Sequence, residues 1–209
     1  MKKSGLILIG AGGHCHACID VIEQHGTYQI AGLIGMPSEQ GSEHLGYEVI
    51  GTNQDLPQFA KDNPFALITL GQIETPGHRI RLYQLATDCG FTLPTIIAPT
   101  AHVSRHATIG AGTVVMHGAI VNAGAKIGNN CIINTHALVE HDAIVADHCH
   151  ISTGVILNGQ VQVNTGCFVG SGSVIKEGLQ IGADSVIGMA LAVRHNLPEQ
   201  SRYTGQNNT

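Results

Sequence analysis

A chain of 209 residues has room for one ordinary domain or two small ones. With 43% hydrophobic and 12% charged residues, it is too apolar for an intrinsically disordered protein, yet no 18-residue run free of polar groups could cross a membrane as a helix. The net charge of −5 comes without any Lys/Arg cluster, which argues against nucleic acid and membrane surfaces as partners. The apolar start at residues 6–9 runs into glycines and lacks the longer core of a secretion signal, so the six cysteines are expected reduced, in the cytoplasm.

In chain order, the first strand at residues 6–9 ends at Gly10-Ala11-Gly12-Gly13-His14. An amphipathic helix follows, with Ala17, Cys18, Val21 and Ile22 on one face up to Gly26. A second strand is expected at 28–34, a short helix at 52–61 and a third strand at 65–70, ending at Gly71. Ile80, Leu82, Leu85 and Ala86 share a helical face over 78–89, and residues 91–97 read as a last strand before Pro99. Strands alternating with helices predict a small α/β domain of the Rossmann-like kind over residues 1–99, with a parallel sheet. A glycine turn between a strand and a helix can cradle a phosphate on backbone N–H groups. Gly10-x-Gly12-Gly13 is not the full dinucleotide pattern, however, and no acidic residue closes the second strand, where a ribose is often held.

From Val103, every sixth residue up to Val193 is aliphatic, and all sixteen but Leu157 are β-branched. Such a period denotes a solenoid, and six is the period of a β-helix. Four residues after each aliphatic position the side chain is usually small, as at Ala125, Cys131, Ala137 and Cys149. Gly or Asn is frequent one residue after it, as at Gly128, Asn134 and Asn158, and these are assigned to left-handed corners. Three hexads make a triangular coil of 18 residues, the interval separating Cys131, Cys149 and Cys167. Residues 100–193 are therefore expected to form an all-β prism, with 194–209 as a tail.

The repeat resembles the left-handed parallel β-helix of the hexapeptide-repeat acyltransferases. Together with the Gly10 to His14 motif, Leu70-Gly71 and Arg79, Ile133-Asn134-Thr135, Val139-Glu140-His141-Asp142, His150-Ile151-Ser152 and Leu157-Asn158-Gly159, the chain is similar over about residues 5–200 to bacterial sugar acetyltransferases. These are typified by the UDP-4-amino-sugar N-acetyltransferase and the sialic-acid-cluster O-acetyltransferase. The resemblance implies a homotrimer with acetyl-CoA in the clefts between prisms and a nucleotide-sugar on the first domain. It implies His141 as general base and Asp142 as its carboxylate partner. His150 is implied near the acetyl group, the Gly159 N–H on the acetyl carbonyl, and Ser171, Gly188 and Ala190 along the CoA groove. Gly10, Gly12, Gly13, His14, Gly71, Gln72, Arg79, Asn134 and Thr135 are implied as substrate contacts. The departure at Leu33-Ile34-Gly35-Met36, where relatives often carry aspartates, bears on the nucleotide.

Eight of the 13 histidines lie at or beyond residue 102. Acetyl transfer to an amine or hydroxyl needs a base, and an imidazole titrating near neutrality suits the task. Direct transfer from acetyl-CoA to the amino group of a nucleotide-linked amino sugar is the first expectation, and O-acetylation of a sialic-acid-type sugar the second. Two other classes compete. His136 and His141 have a ligand-like spacing, as in the zinc site of γ-class carbonic anhydrases, but residue 100, two coils before His136, is Thr, and no metal is expected. A non-catalytic trimeric scaffold would not need both Glu140-His141-Asp142 and Leu157-Asn158-Gly159.

Overall fold

The computed structural model describes residues 3–205. The first strand, β1 (Ser4–Ile9), is central and apolar, and its last four residues are buried. It is followed by α1 (Gly13–His25), which stops at Gly26 in the left-handed conformation. Strand β1 is flanked by parallel partners, β2 (Tyr28–Ile34) on one side and β5 (Phe65–Ile68) on the other. Between them in sequence come β3 (Glu43–His44), β4 (Tyr47–Gly51) and the short helix α2 (Leu56–Asp62). The sheet order is β3-β4-β2-β1-β5, and α3 (Gly77–Asp88) closes the domain.

The hairpin formed by β3 and β4 was not legible as strands in the sequence, and β4 extends the parallel sheet beside β2. The helix expected from residue 52 opens instead with a 3₁₀ turn capped by Thr52. The strand expected at 91–97 is broken. Thr92 bridges Phe65, Pro94 removes a backbone donor, and the strand Ile96–Ile97 pairs with Val114–Val115 of the prism.

The prism has three parallel faces. In its central coil, Ile132–Ile133 belongs to the first face, Leu138–Val139 to the second and Ile144–Val145 to the third. Each coil donates backbone N–H groups to the next, as from Asn134 to the carbonyl of Ile151 at 2.8 Å, which places residue i beneath residue i+18. The aliphatic column from Val115 to Val193 and the small column through Cys131, Cys149 and Cys167 fill the interior. The coils continue past both limits read from the repeat: Ile96–Ile97 begins the first face and Arg202–Tyr203, pairing with Val186–Ile187, ends it. The α/β domain covers this first face, where Val114 and Ile132 join the cluster formed by Cys18 and Ile22 of α1.

The corners correct one expectation. Left-handed backbone falls three residues after the aliphatic position, at Asn130, His136, Asp142, Gln160 and Ala190 and at a series of glycines. The Gly or Asn one residue after it has another purpose. A Cβ on Gly128 would sit 2.6 Å from the Asp147 nitrogen of the next coil, so glycine there permits close stacking of the backbones. Asn at the same position caps the corner: the Thr135 N–H donates to Asn134 Oδ1 at 2.8 Å.

Ile133 is fully buried in the aliphatic column. Ile133→Ala is expected to cost about 2–5 kcal/mol of unfolding free energy, read as a lowered denaturation midpoint.

Candidate active site

The C-terminal ends of β1 and β2 open onto a cavity of ≈ 850 Å³. One wall is the glycine turn. Gly10 is required by the backbone, because its φ is +114° and a Cβ would lie 2.9 Å from the Leu70 nitrogen. Gly12 and Gly13 are different, since a Cβ on either would meet nothing within 4 Å. Glycine is therefore not demanded there by the fold, and Gly12 keeps open the space before the first turn of α1. That turn carries no side-chain cap and no acidic residue, so its N–H groups and the helix dipole face the opening.

The opposite wall comes from α3. Arg79, expected to touch substrate, is 1% exposed. Its Nη1 donates to the carbonyls of Ile68 and Leu70, and its Nη2 to the carbonyl and Oδ1 of Asn130. It therefore fastens the segment after β5 to the prism and presents nothing to a ligand. The cation on the cavity side is Arg81, with its Nη2 2.8 Å from His78 Nδ1. His78, Arg81, Leu82 and Leu85 follow helical spacing, the one signal that could have found this face. Nor is the cavity without the carboxylate that the second strand lacks. Glu39 lines it from the 3₁₀ turn after β2, with Oε2 held at 2.7 Å by the Met36 N–H.

Beneath the cavity lies a buried polar seam between the domain and the prism. Gln72 is 3% exposed, and its side-chain amide donates to the His148 carbonyl at 3.0 Å, away from the cavity that its loop lines. Its own carbonyl accepts from His150 Nδ1 at 2.6 Å. Burial pushes the His150 ring down to about 4, with Arg79 adding to the effect against the pull of the Gln72 carbonyl. Burial, then Arg79 and His150, hold His14 at about 3. The His14 ring lies 6.4 Å from that of His150 and its Nε2 is unpartnered.

His141 and Asp142 lie elsewhere, on the corner between the second and third faces, and both are exposed. His141 Nδ1 is 3.0 Å from Asp142 Oδ2, which fixes the proton on Nδ1 and leaves the Nε2 lone pair outward. Glu140 takes no part in orienting the ring; its carboxylate accepts from the His141 N–H at 3.0 Å and caps the corner. Glycines above and below make room. A Cβ on Gly159, one coil on, would lie 2.6 Å from His141 Nε2, and a Cβ on Gly124, one coil back, would collide with Asp142 Oδ1.

Gly159 contributes a second feature. At the equivalent corners the N–H is capped by the preceding side chain, Asn134 for Thr135 and Glu140 for His141. Asn158 instead donates to the Ile175 carbonyl, and the Gly159 N–H has no acceptor among the described residues. A free donor thus stands beside a free imidazole lone pair.

Asn134, Thr135, Ser171, Gly188 and Ala190 share the corner between the first and second faces, one prism edge away from His141. There Ser171 Oγ is 2.9 Å from Ser152 Oγ. His136 also stands on that corner, so His136 and His141 are separated by the strand Leu138–Val139. Among the described residues, no group of three or more His, Cys, Asp or Glu side chains is placed to hold a metal ion.

Comparison with known proteins extends over nearly the whole chain. The model of the PglD N-terminal domain matches residues 5–81, and that of the bacterial transferase hexapeptide (six repeats) matches 106–141. Perosamine N-acetyltransferase from Caulobacter crescentus, solved as a histidine-to-asparagine mutant with CoA and GDP-perosamine, is 31% identical, with a TM-score of 0.89 over 94% of this chain and 91% of that one. The acetyltransferase domain of PglB from Neisseria gonorrhoeae, solved with acetyl coenzyme A, is 28% identical, with a TM-score of 0.86 over 94% of each chain. WeeI from Acinetobacter baumannii shares the fold at 20% identity and a TM-score of 0.84, over 94% of this chain and 95% of that one. No curated protein sequence matches. The chain belongs to the PglD-type family of hexapeptide-repeat sugar acetyltransferases.

Two outcomes follow from the site. Gly159→Ala should displace the His141 ring and lower kcat about 10–100-fold with an unchanged melting midpoint, measured side by side. His14 and His150 bind protons in the unfolded chain below its pKa of 6.5 but stay neutral when folded, so stability falls as the pH drops from 6.5 toward 4. Each ring should cost on the order of 2 kcal/mol between pH 7 and pH 5, and urea titrations at the two values check it.

Proposed function

We propose that the protein transfers acetyl from acetyl-CoA to the amino group of a nucleotide-linked amino sugar destined for a surface glycan. The observation that carries this reading is the His141 ring, proton fixed on Nδ1 by Asp142, lying against Gly159 with its uncapped N–H. The acceptor amine, neutral when it attacks, bonds to the thioester carbonyl carbon. Nε2 of His141 takes the proton that the nitrogen sheds. The Gly159 N–H meets the charge gathering on the carbonyl oxygen, a contribution of ~3 kcal/mol for such a donor. The C–S bond breaks and CoA leaves as the thiol, its proton returned from the imidazolium. No cysteine takes part, since five of the six free cysteines are buried and Cys89 caps the end of α3 in the α/β domain.

The nucleotide is assigned to the cavity of the α/β domain. Its diphosphate would lie against Gly12 and the open end of α1, with Arg81 opposite, and Glu39 offers a carboxylate to ribose hydroxyls. Asn134 and Thr135 are assigned to the acceptor sugar, and Ser171, Gly188 and Ala190 to the pantetheine arm. The C. crescentus relative with CoA and GDP-perosamine, and the N. gonorrhoeae domain with acetyl coenzyme A, support both ligand classes.

The active unit is a homotrimer. The α/β domain covers the first face, whereas His141 stands on the corner opposite it, between the second and third faces. An amine held from the cavity of one chain therefore meets the imidazole of another. A reducing, cytoplasmic compartment suits six free cysteines, and no described helix is long and apolar enough to cross a membrane.

His141→Ala is expected to lower turnover about 10²–10⁴-fold with CoA affinity little changed, using release of CoA from a nucleotide amino sugar as the assay. Gly12→Leu should raise the nucleotide-sugar KM. At nucleotide-sugar concentrations well below that raised KM, trimers mixed from the two variants should be more active than either variant alone. Near-wild-type turnover in the first variant would remove His141 from the reaction, and mixed trimers without recovery would place each site within one chain.

A further inference from the structure

The hydrogen bonds around His150 have one polarity. The Gln72 carbonyl, 2.6 Å from Nδ1, can only accept, so Nδ1 carries the hydrogen. Nε2 then holds a lone pair, and its neighbour at 3.1 Å, Asn134 Nδ2, is a donor. The other end of the same amide, Asn134 Oδ1, accepts from the Thr135 N–H at 2.8 Å. Each donor faces an acceptor, and reversing either His150 or the Asn134 amide would break two contacts. The ring is locked as well as polarised. It is 7% exposed, with Phe168 edge-on at a centroid distance of 5.2 Å and the His14 ring at 6.4 Å. Burial also keeps the ring neutral down to about pH 4, so the polarity holds across the working range.

The chain of contacts starts in the nucleotide cavity. Gln72 belongs to the segment after β5 that lines the cavity, and its side chain is anchored on the carbonyls of His148, Gly166 and Cys167. Arg79 holds the same segment through the Leu70 carbonyl.

We propose that Gln72, His150 and Asn134 form a positioning relay, in which the cavity segment fixes His150 as a hydrogen-bond acceptor and His150 thereby fixes which face of the Asn134 amide meets the acceptor sugar. His150 in this role neither donates to the acetyl carbonyl nor moves a proton. One N–H and one oxygen lone pair of Asn134 stay free for the sugar. The nucleotide cavity and the sugar contact are set as one unit, so a nucleotide-sugar seated against residues 70–75 finds Asn134 already oriented. The sugar contact rests on the acetyltransferase reading above, whereas the polarity of the relay does not.

Two measurements test it. In the wild-type protein labelled with ¹⁵N-histidine, long-range ¹⁵N–¹H correlation should show His150 protonated on Nδ1 and bare on Nε2, with no substrate present. A proton on Nε2 overturns the relay and leaves the acetyltransferase reading untouched. In kinetics, His150→Asn keeps a donor for the Gln72 carbonyl but loses the acceptor for Asn134. It should lower kcat about 10–100-fold with the nucleotide-sugar KM little changed. Asn134→Ala should lose as much, and the double variant no more than either alone. Gln72→Ala should raise KM and lower kcat together. Additive losses in the double variant overturn the relay, and if His150→Asn does not fold, the ¹⁵N spectrum decides.

Discussion

The constraint on which this molecule depends is the 18-residue register of its coils. Backbone N–H groups of one coil bond to carbonyls of the next along all three faces. The register is fixed by regular backbone pairing and by the aliphatic column inside, not by the residues that carry the chemistry. Because residue i lies against residue i+18, any corner side chain has its floor and ceiling decided by residues one coil away. The corner that carries His141 uses this directly. His141 lies beneath Gly159 and Asp142 above Gly124, so the two glycines act as reserved space for an imidazole and a carboxylate. The site needs no loop of its own, and its precision is that of the ladder beneath it.

That register also explains what could be read from the sequence. A six-residue period announces itself sixteen times, and no local misreading erases it. The phase of each functional residue was equally available, since positions 141 and 159 differ by one coil while 134, 152, 170 and 188 fall in another phase. The motifs, read as strings, hid that they belong to two separate corners. The α/β domain has no such redundancy. Arg79 and Arg81 sit on the same helix, and a motif cannot say which faces the cavity; only the companions His78, Leu82 and Leu85 can. Glu39 was missed because the carboxylate stands five residues beyond β2 and arrives by a 3₁₀ turn. The role of glycine one residue after each aliphatic position was misjudged because crowding between coils and positive φ select the same residue type.

The seam between the two parts is held by polarity without paired charge. Arg79 is fully enclosed, and burial lowers it to about 10, yet its partners are carbonyls and an amide, with no carboxylate among them. A buried cation in this setting is costly unless its donors are used; four contacts from its two terminal nitrogens offset much of that cost, while its buried Nε has no partner among the described residues. Two neutral histidines, His150 buried and His14 half-buried, complete the arrangement. Such a seam is stiff because every group has few alternatives. A cavity wall fastened to a prism in this way cannot move without moving residues on the prism surface.

Stiffness within the chain and separation between chains are two sides of one design. The α/β domain occupies the face opposite the His141 corner, so a single chain holds the proposed cavity and the proposed base apart by the width of its own prism. On the trimeric reading, the amine is carried to a neighbour's imidazole by a rigid body rather than a flexible arm. The reach is then set by prism width and trimer geometry, both products of the repeat. With the nucleotide in the cavity as proposed, a change of nucleotide could be accommodated at Glu39 or Arg81 without disturbing His141 and Gly159, because no side chain is shared between the two places. On the same reading, acceptor choice falls where two chains meet, at the corner proposed to carry the sugar contacts Asn134 and Thr135.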